Sequence, residues 1–176
     1  MQTPDIILAG AGIVLFIVLI ILLFQRKIEG KTAFLLFFMV VIMIGYPTIK
    51  KITIDDEMLE IVKYSDQITA NPQNSVAAAN QLNAVLEKPW AIGALKTDPA
   101  RLKLATNALT VAASARVVNN DAPAAQTYLN KVKALTPNST ELKFVQQHLD
   151  TVKSSGAPQQ KAASKAILME RYHLAR

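Results

Sequence analysis

IILAGAGIVLFIVLIILLF (residues 6–24) and, eight residues later, AFLLFFMVVIMIGYPTI (residues 33–49) contain no Asp, Glu, Lys, Arg or His. At about 1.5 Å of rise per residue the first run matches a hydrocarbon core of about 30 Å, and the second lies at the short end of the spanning range. Both are predicted to cross a bilayer. Because only residues 25–32 separate them, they form a transmembrane hairpin, and the N-terminus and everything after Lys50 share one side. The domain plan follows: a hairpin over residues 1–52, a soluble all-helical interaction domain over 53–153, and a linker with a C-terminal basic amphipathic helix over 154–176. The fold class is all-α.

The charge balance excludes several function classes. The 176 residues carry a formal net charge of +6, but the basic residues are scattered, and five of the six Phe lie in the membrane runs. Such a chain offers no aromatic platform for stacking bases, so nucleic acid is not an expected partner. With no cysteine there is neither disulfide nor thiolate chemistry. The leader Met1 to Asp5 has no positive residue, and the first run ends in Phe24-Gln25-Arg26, not in small residues, so it is expected to remain attached and not to be cleaved as a signal peptide.

Positive residues near short loops favour the cytoplasmic side. The linker holds Arg26, Lys27 and Lys31 against Glu29, whereas no Lys or Arg precedes the first run. This predicts a cytoplasmic linker in a bacterial inner membrane, with both termini and the soluble domain in the periplasm. Lys50, Lys51 and Lys63 oppose that bias, offset by Asp55, Asp56 and Glu57.

The spans carry no ionisable group of the kind a proton relay or transporter keeps in the bilayer. Ala9 and Gly12 stand one turn apart and are read as small residues that let another helix approach closely. Tyr46 and Pro47 read as an interfacial aromatic followed by a helix break or kink.

Beyond residue 52 the apolar spacing is helical throughout. Thr53 with Asp56 is a capping signal, and Met58, Ile61, Val62 and Ile68 mark an inward face before Asn71-Pro72. A second helix over about residues 75–87 turns Val76, Ala79, Leu82, Val85 and Leu86 inward. Residues 90–96 read as a turn or one short helix in which Trp90 either fills the core or anchors a partner. Asp98-Pro99 opens a long helix to about Val118 with Leu102, Ala105, Leu109, Ala112 and Ala113 inward. Asn119-Asn120-Asp121 breaks it. The next, about residues 122–135, presents Ala125, Tyr128, Leu129, Val132 and Leu135, and Asn138 with Glu141 caps another that carries Leu142, Val145, Leu149 and Val152. Ser154 to Pro158 is a linker, and residues 159–176 form a last helix with Ile167, Leu168, Tyr172 and Leu174 apolar and a basic side of Lys161, Lys165, Arg171 and Arg176.

Short breaks between helices place neighbours antiparallel, as in bundles and solenoids. Ala125, Leu129, Val132, Leu135 and Pro137 resemble the second helix of a tetratricopeptide repeat, and the resemblance covers about residues 99–153. Leu109, Ala113 and Arg116 stand where that family's Trp, Gly and Tyr belong, and Val132 is larger than its usual Ala. The resemblance implies a concave protein-binding surface.

No catalytic, cofactor or metal motif emerges. His148 and His173 lack the spacing of a zinc site, Ser154 and Ser155 lie in a linker, and no phosphate-binding glycine loop exists. The composite expectation is a non-enzymatic accessory or scaffold protein of an inner-membrane complex. Its partners are the lipid bilayer and either other subunits or a second copy. Protein contacts are assigned to Trp90, Lys161, Lys165, Arg171 and Arg176, and helix packing to Ala9 and Gly12. The alternative, from a different class, is an oligomeric pore or channel subunit formed by the two spans.

Overall fold

A computed structural model describes residues 3–25, 29–155 and 157–175, with side chains for all of these except Thr3, Pro4, Asp5, Trp90 and Ile92. The described residues form eight helices and no strand: α1 (Thr3–Phe24), α2 (Gly30–Ala70), α3 (Val76–Leu86), α4 (Pro89–Thr97), α5 (Pro99–Val118), α6 (Ala122–Leu135), α7 (Thr140–Ser154) and α8 (Pro158–Arg171). They fall into two compact units, Met1–Asp56 and Glu57–Arg176.

In the first unit α1 and the N-terminal part of α2 lie side by side and antiparallel. Phe16 and Phe37 meet in a tilted contact, 6.5 Å between ring centroids, and Gly12 faces Met43 and Ile44. A Cβ on Gly12 would lie 2.8 Å from Ile44 Cγ1, a separation that real side chains do not tolerate, so glycine is what permits this approach. Ala9 is half-buried, whereas Gly10 and Gly45 have open space in front of them. Leu19, Ala33 and Val40 are buried, while most of the surrounding Ile, Leu, Val and Phe side chains point outward. Both helices are long and apolar enough to cross a membrane, by length and composition.

The second helix departs from expectation at Pro47. Of the break or kink expected at Pro47, the break does not occur, nor does the fresh start at Thr53: α2 runs uninterrupted for 41 residues with Pro47 inside it. Proline lacks an N–H and leaves the carbonyl one turn earlier without its bond, a loss of roughly 3 kcal/mol in an exposed helix, but one missing bond need not end a helix. Thr53 is therefore no cap. Its Oγ1 donates backwards to the carbonyl of Ile49 at 3.1 Å. Asp55, Asp56 and Glu57 accordingly sit in mid-helix.

The second unit is arranged about α5. This helix is buried along most of its length and packs against α3, α4, α6, α7 and α8. Its small residues make that possible: Ala105, Ala108, Ala112, Ala113 and Ala115 are all buried and let neighbouring backbones come close. Besides its sequence neighbours α4 and α6, α5 touches both α7 and α8.

The predicted stops and starts mostly hold. Asp98 caps α5 by accepting from the amides of Ala100 and Arg101, and Asp121 caps α6 by accepting from Ala124. Asn120 makes the turn between them in the left-handed region, φ 61, where asparagine is among the few tolerated residues. Ser139, not Asn138, caps α7 by accepting from Leu142. Residues 90–96 belong to α4, a short helix with Pro89 at its first position. The inward faces of α5, α6 and α7 agree with the spacing, although Leu102 and Leu135 are only half-buried. Val62, Val76 and Ile167, expected among the apolar faces, are exposed.

Candidate functional site: a groove between the second and fifth helices

Two observations set the direction of the site's walls. Asn119, just past the end of α5, donates through Nδ2 to the carbonyl of Pro72, just past the end of α2, at 2.6 Å. Toward their N-terminal sides, Ile61 and Val62 of α2 face Ala100 and Leu104 of α5. The two helices therefore run in the same direction, and a channel of about 320 Å³ lies between them, with Ser65 and Asp66 on one wall and Lys103, Asn107 and Ala108 on the other.

Two further concavities adjoin it. One of about 420 Å³ lies between α5 and the α6–α7 connection, over Pro99, Leu102, Thr106 and Ser139. The other, about 320 Å³, lies between Val111 and the end of α8, under Arg171, Tyr172 and His173. Asn107 lines all three, and Glu141 lines the second and third. Asn107 is exposed, and among the described residues its carboxamide makes no hydrogen bond. Thr106 is buried with its Oγ1 unpartnered.

The far end of the groove is closed by the chain itself. His173 turns in the left-handed region, φ 53, Leu174 is buried, and the N–H of Ala175 donates to the carbonyl of Thr69 at 2.8 Å. That carbonyl belongs to the last turn of α2, whose C=O groups have no partner within the helix.

This closure is held by a clasp. The Nη2 of Arg171 donates to Glu141 at 2.9 Å from Oε1 and 3.2 Å from Oε2, and the hydroxyl of Tyr172 donates to Oε2 at 2.8 Å. The guanidinium also lies over the Phe144 ring, 4.1 Å from its centroid, a cation–π contact. On the same ring His148 packs edge-on at 4.7 Å. The Arg171 guanidinium, then the Tyr172 hydroxyl, hold the Glu141 carboxyl below the usual carboxylate range. Burial, seconded by Glu141, pushes the Tyr172 phenol up. Burial, then Arg171, holds His148 below the ordinary imidazole value, and its Nδ1 has no partner among the described residues.

The chain matches no protein-family model, and no curated protein or solved structure is similar to it. The site must therefore be argued from its own geometry.

The residues picked out by sequence fall as follows. Arg171 is engaged with Glu141 and Phe144. Lys161 and Lys165 are half-buried and flank the buried Ser164 and Leu168, on the side of α8 that packs inward. The side chain of Trp90 and the whole of Arg176 lie outside the described residues, as do Arg26 and Lys27 of the linker. Gly12 lies against Met43 and Ile44 of the chain's own α2. The groove around Asn107 was missed, because a polar residue on the outward stripe of a helix reads as solvated. The only available signal was the pair Thr106-Asn107 interrupting a run of small apolar residues. Among the described residues no three His, Asp or Glu come together as a metal site.

Proposed function

We propose that this chain is a membrane-anchored, non-enzymatic accessory or scaffold protein. Residues 6–24 and 33–49 cross a bacterial inner membrane as a hairpin, and the helical domain binds another subunit of a membrane complex or a second copy. The supporting observation is the distribution of exposed apolar surface: nearly all the large apolar side chains left outward belong to α1 and to α2 before residue 53. In water such a surface is an aggregation liability, whereas in lipid it is satisfied. The charge bias of the linker favours periplasmic termini.

The domain reads best as a small bundle centred on α5, with its concave side supplied by the groove at Asn107. The alternative is a tetratricopeptide-like stack with α5–α6 and α7–α8 as adjacent repeats. Trp90 and the lysines of α8 are secondary candidates for contact.

Four measurements test the reading. The protein should resist extraction at alkaline pH and require detergent. A phosphatase fused after Arg176 should be active and a fluorescent protein there dark, and the reverse result would invert the topology. The tagged full chain, purified in mild detergent, should retain a partner at fixed stoichiometry by mass spectrometry; a chain that runs alone as a monomer contradicts the scaffold role. Planar-bilayer recording separates this reading from a pore, since an anchor conducts nothing at any voltage.

A further inference from the structure

The groove at Asn107 carries polar groups that its own fold leaves unused, and the chain shows what kind of segment they suit. At one end of the groove a non-helical stretch is already seated, with Leu174 buried between the exposed His173 and Ala175 and a backbone N–H given to Thr69. We propose that the remainder of the groove binds an extended peptide of a partner protein, running along α5 from Ala100 toward Val111.

Hydrogen bonding decides for an extended occupant over a helical one. A carboxamide presents one acceptor beside two donors, matching the C=O and N–H of a peptide group. A helix keeps those groups in its own ladder and would bury the Asn107 amide unpaired. An extended strand offers them at every second residue. Its alternating side chains suit the rest of the channel, one set seating against Val62, Leu104 and Ala108 and the other facing solvent. Eleven helical steps at ~1.5 Å make a track of roughly 16 Å, which about five extended residues cover.

Charge narrows the class further. Asp66 on α2 and Lys103 on α5 are exposed on opposite walls, and among the described residues neither is in an ion pair. The complementary peptide carries apolar residues at alternate positions, a basic residue toward α2 and an acidic one toward α5.

This inference rests on the protein-binding reading, and one experiment separates the two. Random heptapeptides displayed on phage are selected against the full chain in lipid nanodiscs, and enriched sequences are synthesised and titrated. Asn107→Leu and Ala100→Trp alter exposed groove residues and leave the core intact, which thermal melts verify. Selected peptides should show alternating apolar residues and lose about tenfold or more in affinity on either variant, and N-methylation of the peptide bond facing residue 107 should lose as much. Enrichment of helical sequences, no enrichment, or binding indifferent to both variants overturns the proposal. In parallel, the complex is purified from cells carrying each variant. A partner lost from both variants supports the groove; a partner retained by both removes the groove and leaves the scaffold role standing; no partner even with the unaltered chain removes the scaffold role itself.

Discussion

At Gly12 the missing side chain is the structural feature. Gly12→Leu must push apart α1 and α2, and overpacking of this kind costs about 1–3 kcal/mol. Gly10→Leu, two positions away and facing open space, should cost little. Cysteine pairs at positions 16 and 37, which lie on facing helices, report the difference: cross-linking should fall in the first variant and persist in the second. The pairing of Ala9 with Gly12, one turn apart, was readable from sequence, but that the approaching helix would be α2 at Met43 and Ile44 was not, because that depends on rotation and register of the two helices. The surroundings of Arg171 were hidden for a similar reason. A cation near a helix end reads as a free basic edge, and only the fold brings Glu141, 30 residues earlier, beneath it.

At the scale of single helices, local signals succeeded where one residue answers one orphan backbone group. Asp98 is a cap in the structure as in the sequence, and Asp121, read only as part of a break, caps α6. Replacing Asp98 by Ala should cost about 1 kcal/mol in chemical denaturation, whereas Thr53→Ala, which only removes a back-bond to Ile49, should change stability by less than about 0.5 kcal/mol. The same capping pattern at Thr53 misled because a cap is a property of a helix that begins there, and α2 is already six turns old. The clasp over α7 and α8 has its own signature in pH. His148 is held below its ordinary value of 6.5, so the unfolded state binds the proton more readily and stability declines as pH falls through about 6.5 toward the folded value. Glu141 is held below its ordinary 4.5, so its contribution is complete above that value and disappears as pH falls through the folded one. Melting temperature against pH should therefore show two descending steps, the upper absent in His148→Phe and the lower reduced in Glu141→Gln, since Glu87 is likewise held low by Lys131.

For the whole molecule, the division at Asp56 and Glu57 predicts contrasting behaviour of the two parts. A chain beginning at Thr53 should be soluble without detergent and unfold cooperatively, whereas residues 1–56 should partition only into micelles or lipid; the two are compared by size-exclusion chromatography and thermal melting. The all-helical class and the membrane-compatible runs could be read directly, since periodicity and length are properties of contiguous residues. The groove could not, because α2 and α5 meet across a stretch of chain that no local pattern spans. The bond from Ala175 to Thr69 is the extreme case, joining positions more than a hundred residues apart. Such closures are slow to find, because an unfolded loop of that length must be brought together before any contact rewards it, while α5 with α6 and α7 with α8 pair at short range. Refolding should accordingly be sequential in time, with helical pairs assembling early and the seal at Thr69 arriving last, so that a newly made domain passes through an interval in which its cleft stands open at both ends.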